Sequence, residues 1–74
     1  EILITERILE NYIMVSQLKN KKYRIILLGV YKNISKRFFF NPMDTTLLEL
    51  GDYLLIAGNR QFIKDFTVSL QKKA

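Results

Sequence analysis

The chain has 74 residues, 49% of them hydrophobic, with 12 Lys and Arg against 7 Asp and Glu, a net charge of +5, and no His, Cys or Trp. This composition excludes a disulfide framework, a thiolate or imidazole metal site and any nucleophilic triad built on His. A chain this short makes one domain at most and buries only about 60% of its unfolded surface, so its apolar surplus is expected at an interface.

Ile2-Leu3-Ile4-Thr5 is short and β-branched, which predicts a first strand. Residues 8–19 contain no Gly or Pro. Asn11 can cap a helix there, with Tyr12, Val15, Leu18 and Lys19 sharing one face by 3-and-4 spacing. Asn20-Lys21-Lys22 then breaks the apolar pattern as a basic turn.

Tyr23 to Lys32 is the clearest strand, with Ile25, Leu27, Gly29 and Tyr31 alternating against Ile26, Leu28 and Val30. Both faces are apolar, which places the strand centrally, with helices on one side and other material on the second. Gly29 in its middle predicts a bulge or a close backbone approach. A polar turn at Lys32-Asn33-Ile34-Ser35 leads into a second, hairpin-paired strand, Lys36 to Phe40. Its three Phe read as core packing, although Phe38 and Phe40 alone could share an aromatic platform.

Pro42 cannot donate to a ladder, so the strand ends at Asn41. Met43 to Leu50 forms a crossover, in which Asp44 and Thr45 favour local side-chain-to-backbone bonds and Leu47, Leu48 and Leu50 pin the segment to the core. Gly51 supplies a positive-φ turn, Asp52 accepts backbone N–H groups within it, and Tyr53 to Ala57 makes the last strand. Gly58-Asn59 ends it and caps a helix from Arg60 to about Gln71, with Phe62, Ile63, Phe66 and Leu70 on one face. The expected architecture is a small α+β domain of order β-α-β-β-β-α, sandwich-like, occupying residues 1–74.

The longest apolar run, Ile25 to Tyr31, is far shorter than the roughly 20 residues of a spanning helix, so no direct membrane insertion is expected. The start at Glu1, without Met or a charged-then-apolar leader, reads as a piece of a longer protein. No Gly-rich phosphate loop is present, and Asp44, Glu49 and Asp52 match no calcium loop. Neither catalytic nor metal-binding residues are expected, and the chain is not read as an enzyme. From Lys19 to Arg37 there are seven basic residues and no acidic one, a stretch that can meet an anion or simply guard strand ends from edge pairing.

The pattern RIILLGVYKN…FFFNPMDTTLLELGDYLLIAGNRQFIKDF resembles the C-terminal lobe of RCK domains, the TrkA-C domain, over about Tyr23 to Leu70. The features that carry it are the apolar strand Ile25 to Lys32, the hairpin strand closing in Asn41-Pro42, then Asp44, Leu47, Gly51-Asp52 and the strand Leu54 to Gly58. The resemblance implies a cytoplasmic regulatory domain of a prokaryotic potassium channel or potassium transporter. Such a domain pairs as a homodimer within a gating ring and couples effector binding to potassium flux. It is joined through an N-terminal RCK lobe to a pore in the inner membrane.

Some members of the family bind a small ligand, in certain cases a cyclic dinucleotide, at the two-fold interface. The matching positions here are Lys21, Lys22, Arg24 and Ile25, with Asn41 and Pro42 near by, so the implied effector is a nucleotide or cyclic dinucleotide. The rival reading is a small basic nucleic-acid-binding domain, for which charge, size and the Phe triplet speak. Against it, the aromatics are not interleaved with basic residues on a strand face, and no nucleic acid is expected as partner.

Overall fold

The computed structural model describes residues 1–19 and 23–72. Seven elements follow in order: β1 (Ile2–Leu3), α1 (Glu6–Leu9), α2 (Val15–Lys19), β2 (Ile25–Lys32), β3 (Arg37–Phe40), β4 (Tyr53–Gly58) and α3 (Arg60–Gln71). The strands form one antiparallel sheet in the order β1-β4-β2-β3, so the fold is a small α+β domain with three helices. It measures 18 Å along its shortest axis, room for one sheet and one layer of helices but no third layer.

The first helical segment is two short helices where one was expected. Thr5 caps α1, its hydroxyl accepting from the Ile8 amide at 3.4 Å. Asn11 caps nothing and instead donates to the Lys72 carbonyl at 3.2 Å, beside an Arg7 bond to the Gln71 carbonyl at 2.6 Å. A helix this short gains too little from propagation to offset nucleation, so tertiary bonds decide where it runs. The amides of Val15 and Ser16 at the start of α2 donate to the carbonyls of Thr46 and Asp44, both at 3.0 Å. The Gln17 side chain accepts from Ile13 and Met14. Residues 13–19 are thus stitched to the crossover between β3 and β4, and Met14 and Leu47 form an isolated bridge.

β2 lies second from one edge and carries the bulge that Gly29 foretold. Ile26 opposes Ala57 and Leu27 opposes Ile56, but Gly29, not Leu28, opposes Leu55. One extra residue reverses the side-chain alternation. Ile25, Leu27 and Val30 consequently face the helices, while Ile26, Gly29 and Tyr31 face away. This corrects the strict alternation read from the sequence, which set Gly29 and Tyr31 with Ile25 and Leu27. Gly29 also meets a close approach, since a Cβ there would lie 2.4 Å from the Phe38 ring and 2.6 Å from the Phe39 carbonyl.

The core sits between the sheet's inner face and the helices. Ile2, Ile4, Val30 and Leu54 meet Ile8, Val15, Leu18, Phe66 and Leu70, with Leu48 reaching in from the crossover. In α3, capped by Asn59 as expected, Phe66 and Leu70 are buried while Phe62 and Ile63 are half-buried. Leu47 and Leu50 are exposed, so of the three crossover leucines only Leu48 pins the segment.

The Phe triplet is not core. β3 is an edge strand, and Phe38, Phe39 and Phe40 are all exposed. Phe38 and Phe40 do share a face, with ring centroids 4.6 Å apart in an edge-to-face arrangement. The misreading has a simple cause: apolarity indicates which residues avoid water, and only strand order indicates which ones find cover.

Candidate functional site

The hairpin from β2 to β3 turns through four residues, with Lys36 at φ +58°, and delivers Lys32 to the end of β2. On the far side of the crossover, Gly51 adopts φ +87°, packed so closely on Asn33 that a Cβ would lie 2.8 Å from its side-chain nitrogen. That turn points the Asp52 carboxylate inward. Asp52 is fully buried, and accepts from the amides of Asn33 and Glu49, both at 2.9 Å, and from the Lys32 ammonium. The expected capture of backbone N–H groups by Asp52 is present.

Lys32 completes the cluster. Its ammonium also meets Glu49 at 2.9 Å and the Leu47 carbonyl at 2.8 Å. Burial lowers its pKa, but the hydrogen bonds and charges of Asp52 and Glu49 outweigh that and raise it above 10.5, the ordinary lysine value. The group therefore stays charged and locks the hairpin to the crossover.

Beside this lock runs a groove of about 550 Å³, between Phe39, Phe40, Asn41 and Pro42 of the β3 end and Met43, Thr46 and Leu47 of the crossover, with Lys32 and Glu49 also in its lining. Asn41 holds φ +44° while its amide bonds the Leu28 carbonyl at 2.9 Å. That conformation turns the chain out of the sheet just before the buried Pro42. Lys19, at the end of α2, donates to the Pro42 carbonyl at 3.3 Å and pairs with Asp44 at 3.0 Å. Asp44 is thus engaged with a residue 25 positions away, not in the local bond expected of it.

Of the ligand residues read from the sequence, Asn41 and Pro42 line this groove together. Lys21 and Lys22 lie outside the described residues. Arg24 and Ile25 are about 10–13 Å along β2 from Leu28, the partner of Asn41, at about 3.3 Å per residue. Arg24 lies over the Phe62 ring of α3 at 5.9 Å, and Ile25 packs against the core. The structure therefore brings Asn41 and Pro42 together and sets Arg24 and Ile25 apart from them. Sequence reading missed Lys32 as the centre of the cluster. The available signal was a lone Lys closing an apolar strand ahead of a Gly-Asp turn.

Among the described residues, no helix is long and apolar enough to cross a membrane and no cluster of acidic side chains could hold a metal ion. No family model matches the chain, and neither a curated protein nor a solved structure matches it.

Proposed function

We propose that the chain is a cytoplasmic regulatory domain of a potassium channel or potassium transporter, acting as a homodimer and coupling effector binding to gating, without enzyme activity of its own. What supports this reading most is that the residues behind the resemblance form one connected device. Asn41-Pro42 turns the chain into the crossover, and Gly51-Asp52 closes that crossover onto Lys32 at the hairpin base. A groove lies along the same segment. A ligand there would push on the hairpin and the crossover together, which is what a module that transmits a signal needs.

The effector is an anion, a nucleotide or cyclic dinucleotide, held by the basic residues Lys21, Lys22 and Arg24, with Asn41 and Pro42 lining the groove away from Arg24. Charge-assisted hydrogen bonds to phosphate supply the affinity. Calorimetry with nucleotides and cyclic dinucleotides tests this on the parent chain and on the double variant Lys21→Ala/Arg24→Ala. Binding that weakens at least about tenfold in the variant is the expected result, as two charged contacts are lost. No heat from any of these anions, or undiminished binding in the variant, removes the effector from this domain.

The rival reading as a nucleic-acid-binding domain draws on the exposed Phe38–Phe40 pair. Yet no strand position on the face those rings share is Lys or Arg, and stacking platforms work with a cationic track. Salt-sensitive, tight binding of single-stranded RNA would favour the rival.

A further inference from the structure

The outer face of the sheet is apolar and, among the described residues, no helix covers it. Register puts Leu3 beside Tyr53, Tyr53 beside Tyr31 and Tyr31 beside Phe38, with Ile26 and Phe40 on the same side. Of these, Phe40 is 73% and Ile26 64% exposed. Phe38 and Tyr53 are also exposed, although both flank a hollow of about 440 Å³ together with Tyr31, Leu55 and Glu1. This face thus carries a projecting ring and, beside it, a recess walled mainly by aromatic and aliphatic side chains.

We infer that this outer face is the surface on which a second copy of the chain sits, face to face across a two-fold axis, with Phe40 of each copy entering the Tyr31–Phe38–Tyr53 hollow of the other. The inference rests on the homodimer of the proposed function and names its surface. Three observations carry it. First, a two-fold contact must be self-complementary, and a knob and a hole on the same patch meet that demand once for each copy. Second, four strands about 4.8 Å apart and of 2, 8, 4 and 6 residues, against an identical face, remove on the order of 1,000 Å² from water in total, close to the lower bound for a specific interface. Third, the chain carries +5, yet the strand positions of this face are uncharged and the one charged residue lining the hollow is Glu1, so pairing brings no cations together in the contact. A nucleic acid would need cations there, whereas an apolar copy needs none.

Salt gives the pairing a signature. Two cationic copies repel at a distance, so added salt screens the repulsion and tightens an apolar contact, whereas it weakens binding to nucleic acid.

The test is sedimentation equilibrium of the 74-residue chain from micromolar to millimolar concentration at low and moderate salt, with Phe40→Glu, Ile26→Asp and, as control, Met43→Glu. Phe40, Ile26 and Met43 are all largely exposed, and melting curves check that each variant folds. The expected result is a dimer that salt strengthens and Met43→Glu leaves intact. Phe40→Glu and Ile26→Asp should each raise Kd by about a hundredfold or more, because the new carboxylate is buried against apolar side chains and its own copy. Isotope-filtered NMR on the unsubstituted chain adds a readout free of folding effects: intermolecular contacts from the Phe40 ring to Tyr31 and Tyr53. A dimer that survives both outer-face variants, or lacks those contacts, overturns the surface while leaving the homodimer standing. A monomer at every concentration overturns both. A monomer whose Phe38 and Phe40 signals move on addition of single-stranded RNA overturns the inference in favour of nucleic acid.

Discussion

The two faces of the sheet are built from the same residue types and have opposite fates. On the inner face Val30 and Leu54 have no exposure at all, while on the outer face Phe40 and Ile26 are 73% and 64% exposed. The difference lies in what crosses over each face. The connections β1-to-β2 and β4-to-α3 both place their helices on the inner side, so every apolar stripe of α1, α2 and α3 is spent there. Among the described residues no further element covers the other side. An apolar side chain in such a protein is therefore core or contact surface according to topology, and substitutions should separate the two faces cleanly.

The largest effect is expected at the lock that holds the hairpin and crossover over the inner face. Asp52→Ala strips the buried partner from Lys32 and orphans two amides, and should cost about 3–5 kcal/mol. Small domains hold little more than the low end of 5–15 kcal/mol, so urea titration should find this variant largely unfolded. An unfolding midpoint near that of the parent would show that water can replace the carboxylate.

Next comes the direct contrast between faces. Leu54→Ala, on the inner side, should cost about 2–5 kcal/mol. Phe40→Ala, on the outer side, should leave the stability of the dilute monomer within about 0.5 kcal/mol. Equal losses in chemical denaturation would break the comparison. Gly51→Val should fall between them, at about 1–3 kcal/mol, because a β-branched residue resists φ +87° and meets Asn33.

The pH dependence should be smaller and of fixed sign. The folded pKa of Lys32 is raised above its unfolded value. Its contribution is therefore fully present below that value of 10.5 and is lost as pH climbs through the higher folded pKa. Denaturation of the parent and of Lys32→Met across this range should show the parent losing stability more steeply; parallel curves would mean that the ammonium is not held by Asp52 and Glu49. The smallest change is a gain. Lys36→Gly relieves a left-handed residue, and after the added freedom of glycine in the unfolded chain the net stabilisation should be up to about 1 kcal/mol, read as a higher melting temperature.

Much of the chain was legible before folding, where the rule is local. Gly51 needs positive φ because a tight turn does, Asn59 caps α3 through its own side chain, and Gly29 marks a bulge because it lacks a Cβ. Of the candidate site, Asn41 and Pro42 could be read as the end of a strand, and Asp52 as an acceptor within its turn. Those readings need only a few neighbouring residues.

What tertiary structure alone decided depends on partners far along the chain. The extra residue at Leu28 reversed the faces of β2, because a shift of one position in pairing moves every later side chain to the other side. The helix expected over residues 11–19 became α2 alone, since the amides at its start are satisfied by carbonyls of Asp44 and Thr46 some thirty positions away. Lys32 met Asp52 only when the hairpin and crossover closed on each other. The Phe triplet was left outside because β3 took the edge of the sheet. Sequence determined which residues avoid water and where the backbone must bend; strand order and pairing register, set by non-local hydrogen bonds, decided which of those residues were covered.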